Sequence, residues 1–318
     1  MKIGIITPAP PGSNSGNRVT AVRWAKILRK LRHRVSIAEE YDEQPFDLLI
    51  ALHARRSGPS INRWRKKNPS APLVVALTGT DLYSDNQGTT RVRKSLQLAD
   101  RIVVLQPSAL KELKTVLRKK TRVIYQSIET KPAHPRKRIA VRLFDVCVIG
   151  HLRSVKDPFR AALASRALPA ASQMRIRQIG RAMTRSMSET ARNEMKINPR
   201  YRWLGELPRA RTLGALAGSD LCVISSRMEG GANVLSEAIV AGVPVLASRI
   251  DGNVGILGDD YPGLFTVGNT LALARLLRRA ETDQKFLSRL KIRVMKLAPL
   301  FDPAREERAW ADLIDDFG

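Results

Sequence analysis

A chain of 318 residues is long for one core and suits two domains of ordinary size, and its 43% hydrophobic content excludes a disordered polymer. No run approaches the roughly 20 apolar residues that cross a bilayer, and Cys147 and Cys222 lie in apolar strand-like runs with no metal-ligand spacing, as in a reduced compartment. The net charge of +26 is uneven: residues 1–140 hold 28 of the 55 Lys and Arg but 10 of the 29 Asp and Glu. That excess suits nucleic acid, an anionic membrane or small anionic substrates. Aromatics at 5%, with no zinc spacing and no RNA-recognition pattern, speak against nucleic acid. The first residues, Met1 to Pro8, lack a signal peptide's long apolar core. A cytoplasmic protein acting on small molecules, with no nucleic-acid or membrane partner, is the expectation; the oligomeric state is left open.

In chain order, residues 2–7 read as a strand and 18–31 as a helix with Val19, Val22, Ala25, Ile27 and Leu28 on its apolar face. Strands at 35–38, 48–52 and 73–77 follow, then a helix ending at 96–99 and strands at 101–105 and 123–125. Residues 129–142 hold two prolines, several charges and no apolar period, the pattern of a linker. A second alternation has strands at 145–149, 176–179, 201–204, 221–224, 243–247 and 264–265, and a last amphipathic helix spans 304–314. This rhythm predicts an α/β protein with two Rossmann-like domains, 1–135 and 136–302, and a C-terminal helix in 303–318.

Ligands of open α/β sheets bind beyond the carboxyl ends of the strands. After the first strand, a Pro-, Gly- and Ser-rich turn leads into a helix. There Gly16, Asn17, Arg18 and Thr20 can converge on an anion, or Ser15 or Asn17 can simply cap the helix. His53, Arg55 and Arg56 follow the 48–52 strand, and Thr78, Gly79, Thr80 and Asp81 follow 73–77. Asp81 reads either as a contact for sugar or acceptor or as a cap. After 145–149 come His151, Arg153 and Lys156, cations able to neutralise a departing diphosphate.

The most informative stretch follows 221–224. Glu229 and Glu237 stand eight residues apart around Gly230-Gly231-Ala232-Asn233-Val234, and a helix begins at the turn. Helix N–H groups and glycines suit phosphates, whereas a carboxylate is repelled by them, so the glutamates suit hydroxyls of a sugar and a ribose.

Framed by Leu-Cys-Val-Ile-Ser-Ser and Ala-Gly-Val-Pro-Val-Leu-Ala-Ser, this segment resembles the nucleotide-sugar site of the retaining GT-B glycosyltransferases of family 4. The resemblance implies the GT-B fold, in which two Rossmann-like domains face a cleft and the last helix returns to the N-terminal domain. It also implies that Glu229 contacts the donor sugar, Glu237 the ribose, and residues 230–234 the diphosphate. Lys156 matches the family's phosphate-clamp lysine, while His151 stands at its arginine, so that Arg153 or His151 itself would serve the phosphate. The turns 179–181 and 203–207 match those that hold the nucleobase. Thr78-Gly79 replaces a histidine turn, and Asp251-Gly252-Asn253-Val254-Gly255 lacks the family's glutamate.

These departures, with segments 15–21, 51–57, 76–83, 123–127 and 150–153, resemble the selenosugar synthases of selenoneine biosynthesis. That subgroup implies transfer from a UDP-sugar, typically UDP-N-acetylglucosamine, to selenophosphate. Catalytic roles then fall to Glu229, Lys156 and Asp81, and acceptor binding to Gly16, Asn17, Arg18, Thr20, His53, Arg55, Thr78, Gly79, Thr80 and Asp81. No cofactor or metal beyond the substrates is expected, since no Asp-x-Asp occurs. An O-glycosyltransferase acting on a sugar or lipid hydroxyl is the alternative.

Overall fold

The computed structural model describes residues 1–13, 15–83, 90–129, 143–231 and 233–317, with Thr80 and Tyr83 described by backbone alone. Residues 130–142 of the expected linker, the expected boundary at 135/136 and Ala232 of the glycine turn lie outside the described residues. The chain divides into two compact units, one of residues 1–127, 229–231 and 300–318, the other of residues 128–228 and 232–299.

The first unit is built on six parallel strands: β1 (Lys2–Ile6), β2 (Arg34–Ala38), β3 (Leu48–Leu52), β4 (Leu73–Leu77), β5 (Arg101–Val104) and β6 (Thr121–Val123), in the order β2-β1-β3-β4-β5-β6. Leu-Leu-Ile-Ala-Leu and Leu-Val-Val-Ala-Leu are buried along their whole length in β3 and β4, as central parallel strands covered on both faces must be. Alternate side chains divide between two cores. Leu49, Ala51, Leu73 and Val75 join Trp64 and Tyr41 on one face. Ile3, Ile5, Leu48, Ile50 and Val74 join Trp24, Leu28 and Trp310 on the other.

Trp310 belongs to the last helix, Pro303–Asp315, and meets Trp24 of helix Gly16–Lys30 edge-on with ring centroids 4.7 Å apart. Beside them the buried Glu306 carboxylate accepts from Trp24 Nε1 at 2.9 Å, and from Ser127 N and Oγ at 2.7 and 2.5 Å. A buried carboxylate is tolerated only with such partners.

The second unit repeats the plan with β7 (Phe144–Ile149), β8 (Met174–Ile179), β9 (Tyr201–Trp203), β10 (Leu221–Ile224), β11 (Val245–Ser248) and β12 (Leu264–Phe265), all parallel in the order β12-β11-β10-β7-β8-β9. Two six-stranded parallel sheets with helices agree with the α/β class expected. Cys147 and Cys222 are register partners on β7 and β10, both buried and unpaired as thiols. Burial pushes Cys147 up to about 11, so it is inert as a nucleophile near neutrality.

Boundaries differ where chemistry departs from apolar runs. The 243–247 strand starts at Val245, because Pro244 has no N–H for the ladder. The 123–125 strand is Thr121–Val123, its polar start being invisible to an apolar count. Among the described residues no helix is long and apolar enough to cross a membrane.

Burial is the largest influence on Glu306 and raises its carboxyl above the usual range, against the lowering effects of Arg23, Ser127 and Trp24. A carboxyl with a raised folded pKa stabilises the fold below its unfolded value and loses that contribution as pH rises through the folded one. In urea unfolding, Glu306→Gln is therefore expected to gain on the wild type as pH rises from about 4 through the raised folded pKa. Glu306→Ala, which strands buried donors, is expected to cost about 1–3 kcal/mol. A Gln variant that loses ground as pH rises would contradict this reading.

Candidate functional site

In each sheet the strand order reverses once. The first chain segment moves from β1 out to β2 and returns to place β3 on the other side of β1; the second runs β7, β8, β9 and returns to place β10 beside β7. At such a reversal the two following loops diverge to opposite faces and leave a crevice at the carboxyl edge. The loops at the reversal points are 7–15 and 53–57 after β1 and β3, and 150–157 and the segment from 225 to 231 after β7 and β10, of which 229–231 group with the first unit. His53, Arg55, His151, Arg153, Lys156 and Glu229 stand on these loops; most of the other residues singled out from sequence begin the helices that follow or lie in the turn after β4.

In the second unit the β7 loop is tied down on both sides. Gly180 passes so near Gly150 that a Cβ would overlap the Gly150 carbonyl. His151 Nδ1 accepts from Arg181 N at 3.2 Å, and burial lowers the pKa of its ring. Lys156 ends a short 3-10 turn, Ser154–Lys156. The carbonyls of Lys156 and Asp157 accept from Ser225 Oγ at 3.2 and 2.8 Å, and Arg227 N donates to Val155 O at 2.8 Å. The lysine loop and the loop after β10 are therefore one hydrogen-bonded assembly. Arg153 is exposed and Lys156 half-buried. Trp203, at the end of β9, donates Nε1–H to Gly180 O at 2.8 Å, which fixes the neighbouring turn.

The helix after β10 runs Asn233–Val240. Asn233 and Val234 are half-buried in its first turn, while Glu237 is buried. Glu237 Oε1 lies 2.9 Å from Arg209 Nη1, the carboxylate being 5% exposed and the arginine 55%. Arg209 was not singled out from sequence. Its signal was an arginine in the first turn of helix Arg209–Ala217, which has no acidic residue there although the helix dipole favours one.

In the first unit, helix Gly16–Lys30 starts after Ser15, whose side chain makes no capping hydrogen bond. Ser15 Oγ, Arg18 Nη1 and Thr7 Oγ1 are all buried with no hydrogen-bond partner among the described residues. Gly16 is exposed and Asn17 half-buried. Thr20 is buried, and its hydroxyl accepts from Gln126 Nε2 at 2.6 Å, so it braces the helix against the segment after β6.

After β3, His53 is buried with φ at +72°, a left-handed conformation that strains a non-glycine residue. Its Nδ1 accepts from Arg56 N at 3.3 Å and lies 3.8 Å from Asp81 Oδ2. Burial lowers its pKa, against the raising effect of Asp81. Arg55 and Arg56 are exposed.

Asp81 accepts hydrogen bonds on both carboxylate oxygens. Oδ1 accepts from Thr78 N and Gly79 N, each at 3.0 Å, and Oδ2 from Ala54 N at 2.8 Å. Its fully buried carboxylate is committed to clamping the loops after β3 and β4 together. Within the same unit Gly79, at φ +136°, abuts Gly230 so closely that a Cβ would sit 2.8 Å from Gly230 N. Glu229, half-buried, begins that 229–231 segment.

Residues 129–296 match the family described as glycosyl transferases group 1. Among solved structures, the chain is similar to Alr3699/HepE of Anabaena in complex with UDP-glucose, with a TM-score of 0.77 at 18% identity over 99% of this chain and 100% of that one. It is also similar to sucrose-phosphate synthase of Thermosynechococcus elongatus, with a TM-score of 0.78 at 15% identity over 99% and 98%. The lipopolysaccharide outer core galactosyltransferase WaaB gives a TM-score of 0.69 at 13% identity, covering 99% of each chain. No curated protein matches the sequence. These likenesses agree with the expected GT-B fold.

If Asp81 is a clamp, Asp81→Asn replaces an acceptor with an amide donor and leaves at least one backbone N–H unsatisfied. The expected cost is about 1–3 kcal/mol of stability, read as a lower urea midpoint. An unchanged midpoint with lost turnover would return Asp81 to a chemical role.

Proposed function

Because this chain belongs to the glycosyl transferases group 1 family, we propose that it is a selenosugar synthase transferring N-acetylglucosamine from UDP-N-acetylglucosamine to selenophosphate. Selenium bonds to the anomeric carbon while the bond from that carbon to the β-phosphate oxygen breaks, and UDP leaves with the electron pair. Water then cleaves the P–Se bond, giving phosphate and the 1-selenosugar for selenoneine biosynthesis.

The observation that carries this reading is the commitment of Asp81 to three backbone N–H groups. A hydroxyl acceptor needs a base, and among the described residues the carboxylate of the turn after β4, Asp81, already accepts from three backbone N–H groups; a selenium nucleophile already deprotonated at neutral pH requires none. The segments resembling selenosugar synthases give the selenium reading its second support. Support for a uridine donor comes from the Anabaena relative, whose structures hold UDP and UDP-glucose.

In this mechanism Glu237 accepts from the ribose hydroxyls and Glu229 from the donor sugar. Gly230, Gly231, Asn233 and Val234 offer backbone to the diphosphate, where a helix N-terminus favours anions. Lys156, with Arg153 and His151, neutralises charge developing on departing UDP. The uncapped start of helix Gly16–Lys30, with Asn17 and the unpartnered Arg18 Nη1 and Ser15 Oγ, takes the phosphate end of selenophosphate. Arg55, His53, the Thr78-Gly79-Thr80 turn and Asp81 are the first unit's further candidates for acceptor binding.

The test is mass spectrometry after anaerobic incubation with UDP-N-acetylglucosamine and fresh selenophosphate. Expected are UDP and a selenium isotope pattern on an N-acetylhexosamine. Glu229→Ala and Lys156→Ala are each expected to lower turnover about 100-fold or more, with unchanged circular dichroism. Sugar transfer only to hydroxyl acceptors would overturn the selenium step, and near-wild-type rates in either variant would overturn the donor site.

A further inference from the structure

Helix Gln284–Leu297 of the second unit carries apolar residues on its outer side as well as its inner one. Phe286, Leu290 and Val294 are buried, as the core-facing stripe of a surface helix should be. At about 3.6 residues per turn, Ile292 and Met295 fall on the opposite side, and they are 55% and 53% exposed. Cations flank them: Lys285, Arg289 and Lys296 to one side and Lys291 to the other, all exposed. The helix contains no Asp or Glu. Among the described residues none of these four cations forms an ion pair.

The surroundings extend this face. Gln284, Lys285, Ser288, Arg289, Ile292 and Arg293 line a shallow groove of about 450 Å³ along the helix. The preceding helix, Thr270–Thr282, packs beside it and exposes Leu271, at 63%, in one stripe with Arg275 and Arg278. Single exposed apolar residues are ordinary on a protein surface; three on two packed helices, set among unpaired cations, form a patterned face. Two acids at the helix are engaged. Asp283 caps it at Phe286 N and pairs with Arg279, and Asp260 holds Arg293 by hydrogen bonds of 2.9 and 2.6 Å.

We infer that the outer face of helix Gln284–Leu297 is a docking surface for an anionic phospholipid membrane. Charge complementarity selects the partner: the headgroups meet the flanking cations, and the boundary of the acyl chains takes Ile292 and Met295. The Lys and Arg stems lie along apolar surface while their charged ends stay among the headgroups. A nucleic acid would satisfy the cations equally well but leave Ile292 and Met295 in water. A helix lying in the interface needs no spanning run, so the lack of a long apolar helix among the described residues is no obstacle. This departs from the expectation of no membrane partner, which counted spanning runs and leaders.

The experiment is co-sedimentation of the full-length protein with vesicles of phosphatidylcholine, alone or mixed with phosphatidylserine. The wild type is expected to partition onto the mixed vesicles about 10-fold or more above the neutral ones. Lys285→Gln, Arg289→Gln, Lys291→Gln and Lys296→Gln combined are expected to lower that binding about 10-fold or more. Ile292→Ser with Met295→Ser, which leaves the charge unchanged, is expected to lower it about 5-fold or more. All six positions are exposed, so the thermal midpoint is expected to stay near the wild-type value. The control removes four charges elsewhere: Lys66→Gln, Lys111→Gln, Lys114→Gln and Lys119→Gln, all exposed in the first unit, are expected to change binding by less than about 3-fold. An equal loss in the control would assign the binding to net charge and overturn the inference, as would unchanged binding in the Ile292 and Met295 variant. Absent vesicle binding, with an oligonucleotide or polyglutamate bound instead, would overturn it in favour of a nucleic-acid or acidic protein partner.

Discussion

The reversal of strand order in each parallel sheet is the constraint on which the rest depends. A parallel strand pair requires a crossover, and a sheet that grows first one way and then the other leaves two adjacent loops heading to opposite faces. Here β1 and β3 form one such pair and β7 and β10 the other. Chemistry-bearing residues have little choice of location: the cations of 150–157 and the glutamate turn of 229–237 follow neighbouring strands. Hydrogen bonds from Ser225 and Arg227 to residues 155–157 then convert adjacency into a fixed assembly.

The two units use their carboxylates differently. Asp81 holds three backbone N–H groups and is structural in geometry, while Glu306 anchors the last helix through Trp24 and Ser127. Glu237 instead meets an exposed arginine side chain. Three of the about four lone-pair directions of the Asp81 carboxylate are taken by backbone donors, whereas Glu237 pairs with a side chain. The positive charge concentrated in residues 1–140 fits an anionic co-substrate, since a field of one sign raises the local concentration of a small anion.

Much of this architecture was legible in the chain. Leu48–Leu52 and Leu73–Leu77 read as strands because burial on both faces demands uninterrupted apolar residues. The glutamate turn was legible because glycines, a following helix and two flanking strands have to coincide. Helix Arg185–Ile197 was missed because its inward stripe is only Met187, Ala191 and Met195, set among polar and charged residues. The start of helix Gly16–Lys30 was placed late because Gly and Asn are poor helix formers. The commitment of Asp81 to Ala54, of Thr20 to Gln126 and of Glu237 to Arg209 was not legible, since each partner is distant in sequence and meets only after the sheet has formed.

The central claim is that the edge of the second sheet at β7 and β10 is a site for a uridine diphosphate sugar. A crystal structure of the protein grown with UDP tests it most directly. The expected result is ribose hydroxyls within hydrogen-bond distance of Glu237, and a diphosphate at the start of helix Asn233–Val240 near Lys156. UDP bound elsewhere, or no nucleotide at saturating concentration, would contradict it.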